Sequence, residues 1–211
     1  LDLSTSMWAH DFEVQGVRQD RLTVVRSVVE DFIEAREHDR IGLIAFAAEP
    51  YLVSPLTLNH DWLLRRLEGM RIGQIEDGTA IGSAIGAATN RLRDIPAKSK
   101  SIILVTDGAN NRGQLEPMAA AEAAKAYGIK IYAIGVGREG MVPFPSRFDN
   151  NGQPARTRDG RIYLRSARSD IDLETLKGLA SETKGRYFHA TDAESLRDIY
   201  AEIDMMEKTE V

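Results

Sequence analysis

The sequence predicts an α/β fold, with a doubly wound, mostly parallel sheet and helices on both faces. Short apolar runs of strand length alternate along the 211-residue chain with segments whose apolar residues recur at helical spacing. The run Ile41–Phe46 is apolar almost throughout, as expected of a strand buried on both faces. One run differs: Tyr51-Leu52-Val53 follows Pro50 closely and is predicted to be an antiparallel edge strand.

The first half of the chain follows this alternation. Val24, Val25 and Val28 recur at helical spacing, and Asn59 is placed to cap a second helix. A third helix has one face of small residues, which should lie close against a neighbour. The predicted elements are a polar loop at 7–19, helices near 19–36, 59–67 and 79–93, and strands at 41–46, 51–53 and 102–105.

The second half repeats the alternation with one interruption. Residues 138–169, rich in turn chemistry, are predicted to form an insertion with a small hairpin around 154–164. The remaining predicted elements are helices at 117–127, 172–182 and 192–206 and strands at 129–136 and 185–188.

Composition limits the classes to which the protein can belong. With 43% hydrophobic and 28% charged residues, the chain is expected to form a single domain over 1–211. The net charge of -5 argues against a nucleic-acid partner, and the absence of cysteine excludes disulfides and thiolate zinc sites. Only Leu1 precedes Asp2, too little for a central strand of ordinary length, so the first strand is expected to be truncated.

Five oxygen-bearing side chains are predicted to meet at one edge of the sheet. Asp2, Ser4 and Ser6 point the same way in an extended segment. Asp107 follows the most apolar strand, and Thr79 begins a helix. Ligands of such sheets lie at the carboxyl ends of the strands. Two carboxylates and three hydroxyls are hard ligands, so this set predicts a divalent cation such as Mg²⁺.

Each residue of the set also has an ordinary structural interpretation. Ser4 or Ser6 could cap a loop, Thr79 is a good helix N-cap, and Asp107-Gly108 is a common turn. Taken together, these interpretations leave the shared position at one edge unexplained. Nearby, Asp11 and Glu13 could support the metal ligands or form a further cation site, although a solvated loop is the simpler expectation. Trp8, beside the metal loop, has two possible roles, as an exposed residue that contacts a partner or as a lid over the site.

Three stretches in order, 1–7, Asp77-Gly78-Thr79 and 104–108, resemble the motifs of the metal-ion-dependent adhesion site in von Willebrand factor A domains. The resemblance covers nearly the whole chain. It implies that Ser4 and Ser6 bind Mg²⁺ directly and that Thr79 binds directly or through water. Asp2 and Asp107 would bind mostly through water. Mn²⁺ and Ca²⁺ are alternatives to Mg²⁺.

Three further stretches, at 107–111, 185–188 and 203–210, look like the bacterial aerotolerance (BatA-type) subgroup of that family. This resemblance implies anchoring in the bacterial inner membrane by flanking helices, with the domain facing the periplasm. It also implies work alongside a MoxR-type AAA+ ATPase. No apolar run of membrane-spanning length is present in the 211 residues, so anchoring rests on the resemblance alone.

The expected function is a binding module, not an enzyme, in which the metal keeps one position for an Asp or Glu of a partner protein. The main alternative is a Mg²⁺-dependent phosphotransferase or phosphatase with Asp2 as nucleophile. That chemistry needs an acid where Ser4 stands, and Lys98 and Lys100 should lie at the opposite end of the sheet. A third interpretation is a structural metal with the partner bound elsewhere.

The insertion 138–169 is the candidate specificity surface. Its seven arginines and three acids give +4, which leaves -9 for the remainder of a chain whose total is -5. Arg156, Arg158 and Arg161 are predicted to contact an acidic partner, because planar guanidinium groups suit carboxylates. Local pairing of these arginines with nearby acids is the ordinary alternative, and anionic lipid headgroups are another.

Overall fold

A computed structural model describes residues 1–209, so Glu210 and Val211, at the end of the predicted domain and tail, lie outside the described range. The strands are β1 (Phe12–Val14), β2 (Val17–Gln19), β3 (Ile41–Phe46), β4 (Pro50–Thr57), β5 (Ser101–Thr106), β6 (Lys130–Val136), β7 (Gly140–Pro145), β8 (Leu164–Ser169) and β9 (Tyr187–Ala190). The helices are α1 (Arg21–Glu34), α2 (His60–Glu68), α3 (Ile81–Leu92), α4 (Pro117–Ala126), α5 (Leu173–Glu182) and α6 (Ala193–Thr209), with a 3₁₀ turn at Thr5–Trp8.

The central sheet has the predicted character. β5, β6 and β9 run parallel, and β4 pairs antiparallel with β3, which confirms the antiparallel edge strand. Residues 1–3 lie between β3 and β5. The amide of Asp2 donates to the Val105 carbonyl at 3.1 Å, and the amide of Leu3 donates to the Phe46 carbonyl at 2.7 Å. The strand order is therefore β4, β3, residues 1–3, β5, β6 and β9.

Helices cover both faces of the sheet. In β6, Ala133 and Ile134 point to opposite sides and join different hydrophobic cores. α1, α2 and α6 pack on one side, and α3, α4 and α5 on the other. The small face of α3 has the predicted close neighbour, since a Cβ on Gly82 would lie 2.0 Å from the Leu115 carbonyl oxygen. Within residues 1–209, no helix combines the length and apolar character that crossing a bilayer requires.

Three local features differ from the sequence expectations. The polar loop contains the short β1–β2 hairpin, turned by Gln15 and Gly16 with φ of 52° and 77°. In the insertion, the longest paired strands are β7 and β8, which flank the predicted hairpin at 154–164. A short hairpin lies there, near the tip: Arg156 and Ile162 form an antiparallel bridge. The amide of Thr157 donates to the Arg161 carbonyl at 2.7 Å, and the amide of Tyr163 donates to the Ala155 carbonyl at 3.4 Å. The last strand begins two residues later than predicted, at Tyr187.

Candidate metal centre

The five predicted side chains lie together at the carboxyl edge of the sheet. Ser6 Oγ donates to Asp107 Oδ1 at 2.6 Å, and Ser4 Oγ is 2.8 Å from Ser6 Oγ. A hydroxyl has one hydrogen, so Ser4 donates in the second bond. The amide of Ser4 donates to Asp2 Oδ1 at 2.8 Å. Thr79 lies in the loop two residues before α3, whose N-cap is Ala80, so it does not begin the helix as predicted. Its Oγ1 lies 3.4 Å from where a Cβ on Gly108 would stand.

Asp2 is fully buried between the loop and β5. Its Oδ2 accepts from Thr106 Oγ1 at 2.5 Å, so both carboxylate oxygens are hydrogen-bonded within the protein. Burial, with Asp107 as a neighbouring like charge, raises the pKa of Asp2 from 3.8 to about 7. Asp2 therefore fixes the shape of the loop and adds negative charge that the folded protein holds at a cost.

Asp107 is 1% exposed and is held on both sides. Its Oδ2 accepts from Arg21 Nη1 at 2.6 Å, opposite the bond from Ser6. Burial raises the pKa of the Asp107 carboxyl, and the Arg21 guanidinium opposes that rise. Sequence reasoning missed Arg21. A signal existed, since a cation in the first turn of a helix is disfavoured by the helix dipole and calls for a compensating acid.

The three loops are fastened to one another by side chains of the motifs. Asp77 accepts from the amide of Thr5 at 2.8 Å and from its hydroxyl at 2.9 Å. Asn111 Oδ1 accepts from the amide of Thr79 at 2.9 Å, and Asn110 Oδ1 accepts from the first amide of α3 at 2.8 Å. These bonds set the position of the Thr79 hydroxyl relative to the serines. These residues belong to the stretches that the sequence analysis singled out, but their hydrogen-bond partners could not be predicted without the fold.

The donor set fits a hard cation. Within residues 1–209, no group of three or more His, Cys, Asp or Glu side chains is placed to hold a metal. The carboxyl edge of the sheet instead offers carboxylate and hydroxyl oxygens, which are ligands that suit Mg²⁺, Mn²⁺ or Ca²⁺ better than softer metals. Mg²⁺ usually retains several waters and one or two carboxylates, which matches a site with two acids.

The neighbouring residues are more ordered than the sequence suggested. Asp11 is 8% exposed and pairs with Arg21, so the expectation of a solvated loop is wrong for Asp11. Trp8 is 9% exposed and packs on Phe148 of the insertion, with ring centroids 5.0 Å apart. Trp8 is thus a packing residue that joins the metal loop to the insertion.

The three arginines of the predicted partner surface lie on the exposed tip of the insertion. Arg156 Nη1 donates to the Gly160 carbonyl at 2.9 Å, and Arg161 Nε lies 3.0 Å from Asp159 Oδ2. Arg158 is exposed as well. The ordinary alternative, local pairing, is therefore present for Arg161. An exposed pair of this kind holds its guanidinium only weakly, so it remains available to a stronger carboxylate partner.

Comparison with known proteins places this edge in a family. The model of the von Willebrand factor type A domain matches residues 1–202. The chain belongs to that family. As a VWA domain it has a relative in Borreliella burgdorferi, described as an uncharacterized protein, that is 29% identical over 194 residues. That match covers 91% of this chain and 52% of the relative, so the chain spans about half the relative's length.

Solved structures give the same fold. The VWA domain superposes on the conserved hypothetical protein BatB from Bacteroides thetaiotaomicron with a TM-score of 0.78 and 28% identity, covering 98% of this chain and 96% of that one. An aerotolerance-related membrane protein from Bacteroides fragilis gives a TM-score of 0.75 at 28% identity, with 97% and 96% covered. Proximal thread matrix protein 1 from the mussel byssus, with a zinc-occupied MIDAS motif, gives 0.65 at 16% identity, with 96% and 45% covered. At that identity the likeness shows the fold alone.

Proposed function

We propose that this VWA domain is a divalent-metal-dependent protein-binding module. By the family resemblance, Ser4 and Ser6 would hold Mg²⁺ directly at the carboxyl edge of the sheet, Thr79 would hold it directly or through water, and Asp2 and Asp107 would hold it mostly through water. The observation that carries the proposal is the convergence of two buried carboxylates and three hydroxyls at one edge. Proximal thread matrix protein 1, which has the same fold, is described with a zinc-occupied MIDAS motif, so this fold can hold a divalent metal.

The partner is a protein that offers an Asp or Glu to the metal. Such a carboxylate would be one more oxygen ligand of the kind that Mg²⁺ prefers. Mg²⁺ dehydrates reluctantly, so the bond adds affinity mainly where the surrounding surfaces also fit. The insertion supplies those surfaces. Its exposed tip carries Arg156, Arg158 and Arg161, which would contact further acidic residues of the same partner.

The domain itself catalyses nothing in this proposal. A phosphotransferase would need Asp2 as an exposed nucleophile, but both oxygens of Asp2 are hydrogen-bonded and the side chain is buried. Ser4 stands where the assisting acid is needed, and Lys100 precedes β5 at the far end of the sheet. The remaining alternative is a metal with a purely structural role. Water-proton relaxation of the Mn²⁺-loaded protein distinguishes such a metal from one that is open to a partner.

The cellular setting is also a proposal. The aerotolerance-related membrane protein from Bacteroides fragilis, 28% identical to this chain, supports a role for this domain at a membrane, and we propose that this is the bacterial inner membrane. We place it on the periplasmic side, in a complex that works with a MoxR-type AAA+ ATPase.

The first test is metal-linked stability. A ligand that binds only the folded state at a hundred times its Kd adds about 2.7 kcal/mol. Urea unfolding curves with and without Mg²⁺ should separate by that order, and Asp107→Ala should remove most of the separation. Exposed Asp94→Ala, far from the site, should retain it. An unchanged Mg²⁺ effect in Asp107→Ala would move the metal elsewhere.

A second measurement separates an open site from a structural one. Mn²⁺-loaded protein should enhance water-proton relaxation because metal-bound water exchanges with solvent. Poly-L-glutamate should reduce the enhancement by taking a water position, whereas poly-L-glutamine should not. No response to poly-L-glutamate would favour the structural metal. Saturable Mg²⁺-dependent phosphate release from an aryl phosphate, lost in Asp2→Asn, would establish the phosphotransferase instead.

A further inference from the structure

Arg21, in the first turn of α1, joins two carboxylates beneath the candidate metal centre. Its side chain is 1% exposed. Nη1 donates to Asp107 Oδ2 at 2.6 Å, while Nε and Nη2 donate to the two oxygens of Asp11 at 2.9 and 2.5 Å. Three donor nitrogens of one planar group thus fix two acids from different parts of the chain.

The same guanidinium reaches both ends of the insertion 138–169. Nη2 donates to Ser169 Oγ at 3.0 Å and to the Arg138 carbonyl at 3.4 Å. The amide of Arg138 also donates to Asp11 Oδ2 at 2.8 Å. The residues at which the insertion leaves and rejoins the domain are therefore bonded to the group that holds Asp107.

The backbone is shaped around this side chain. Gly137 has φ of 106°, and a Cβ there would lie 2.2 Å from Arg21 Cζ. A residue with a side chain would strain the backbone and displace the guanidinium. Lysine could not replace the arginine, because a single ammonium lacks the fork that reaches both acids and the insertion at once.

Two further contacts hold the insertion against the metal loop. The amide of His10 donates to the Pro143 carbonyl at 2.7 Å, and Trp8 packs on Phe148. The insertion is thus attached at several points to residues 8–11, directly after the predicted metal ligands. A change in the order of residues 8–11 would therefore be transmitted to the insertion through these contacts.

We propose that Arg21 is a positioning residue that couples metal binding at Asp107 to the order of the insertion base. The inference rests on the metal-binding function proposed above. Ser6 holds Oδ1 of Asp107 and Arg21 holds Oδ2, so a cation beside Ser6 and the guanidinium use different oxygens and do not compete. A cation that restrains Asp107 therefore also restrains Arg21 and the two ends of the insertion.

Amide hydrogen exchange with Mg²⁺ or with EDTA tests this coupling, and the Arg138 amide is its direct reporter. Saturating Mg²⁺ should slow exchange at Arg138 and at the β7 and β8 ends of the insertion base by a factor of about 5 or more, the lower end of ordinary coupling between sites. In Asp11→Asn the slowing at the base should fall to less than half of the wild-type factor, while slowing at 4–6 remains.

Milder variants keep the test decisive if Asp11→Asn folds poorly. Ser169→Ala removes one bond to Arg21 and should reduce the Mg²⁺ effect at Arg138. Ser166→Ala, on the same strand and exposed, is the matched control and should leave the effect unchanged. Arg21→Lys keeps the charge but loses the fork, and it should behave like Asp11→Asn.

The outcomes separate the two proposals. Mg²⁺ protection at 4–6 and 107–111 without any at the insertion base would overturn the coupling and leave the metal site standing. A full response at the base in Asp11→Asn or in Arg21→Lys would overturn the coupling as well. An absence of Mg²⁺ protection anywhere in the wild-type protein would remove the metal site and the coupling together.

Discussion

Buried acids lie at both ends of the sheet, and the two ends satisfy them differently. At the amino end, Glu207 of α6 accepts from Ser99 Oγ and from Tyr132 Oη, each at 2.5 Å, and Lys130 Nζ lies 3.5 Å away. These donors outweigh the cost of burial and lower the pKa of Glu207. At the carboxyl end, burial and mutual repulsion raise the pKa of Asp2 to about 7 instead.

The difference distinguishes a structural acid from the acids of the proposed metal centre. Each oxygen of Glu207 meets a donor and Lys130 supplies a positive charge 3.5 Å away, so this acid is balanced within the fold and fastens α6 to the sheet. At the other end, Asp11 and Asp107 share the Arg21 guanidinium, and the hydrogen bonds of Asp2 come from the uncharged Ser4 amide and Thr106 hydroxyl, which leaves an excess of negative charge in a buried place. A buried carboxyl whose pKa is raised in this way is a candidate functional group, because a bound cation would supply the missing positive charge.

The largest expected effect is on the free energy of unfolding without metal, which should respond differently to substitution of the acid at each end. Glu207→Gln leaves buried donors without an ionised acceptor and should lower the free energy of unfolding by about 1–3 kcal/mol. Asp2→Asn, which removes a charge that the fold holds at a cost, should lower it little or raise it. Urea unfolding in EDTA measures both.

The control is Glu182→Gln, whose acid forms an exposed pair with Lys125 and should contribute about 1 kcal/mol or less. If Asp2→Asn were as destabilising in EDTA as Glu207→Gln, the carboxyl end would be a completed structural cluster. The case for a cation there would then fail.

The pH dependence should have opposite signs at the two ends. The pKa of Asp2 is higher in the folded protein, about 7, than its ordinary value of 3.8. Its contribution to stability is therefore fully present below pH 3.8 and is lost as pH rises through about 7. The pKa of Glu207 is lowered from 4.5, so its contribution is present above pH 4.5 and is lost as pH falls.

Urea midpoints measured from pH 4 to 8 in EDTA report this directly. The wild-type protein should lose stability towards neutral pH through Asp2, and Asp2→Asn should flatten that part of the curve. Saturating Mg²⁺ should flatten it too, because the cation takes the place of the proton. An identical slope in the wild-type protein and Asp2→Asn would show that Asp2 does not carry the effect.

The residues of the site that could be predicted are those identified by short motifs or by the ends of helices and strands. Asp2, Ser4 and Ser6 lie within five residues of the chain, although Ser6 stands in the 3₁₀ turn Thr5–Trp8 and not in the extended segment that the sequence predicted. Thr79 and Asp107 lie beside element ends that periodicity identifies. Their meeting at one edge follows from the parallel order of the strands. The same local reasoning placed the strands and helices of the sheet to within a few residues.

The remaining features depend on partners far apart in the chain. Arg21 reaches Asp107 across 86 residues, and Tyr132 reaches Glu207 across 75, distances over which no periodic pattern operates. The β7–β8 pairing was missed for a related reason. Pro143 and Pro145 interrupt a strand pattern, and the pairing is set by residues on the far side of an 18-residue loop, 146–163.

The smallest effect on the protein itself is expected at the insertion tip. Arg156, Arg158 and Arg161 are exposed, and the pair with Asp159 is a surface ion pair, so their substitution by Glu should change the free energy of unfolding by about 1 kcal/mol or less. Mg²⁺ affinity should also hold, since the tip makes no bond to the predicted ligands among the described contacts. Binding of poly-L-glutamate to the Mg²⁺-loaded protein should weaken and lose much of its salt dependence.

A control with the same change of charge decides whether position matters. Three exposed cations at the amino end of the sheet can be reversed to Glu in parallel: Arg91, Arg93 and Lys98. If the tip arginines act as a surface beside the metal, only the tip variant should weaken poly-L-glutamate at physiological salt, where charges more than about 8 Å away are screened. Equal weakening in both variants would mean that net charge alone is responsible. Unchanged binding in the tip variant would mean that the tip takes no part in recognition. The metal at the carboxyl edge, held by the unbalanced acids there, would then be the whole recognition site.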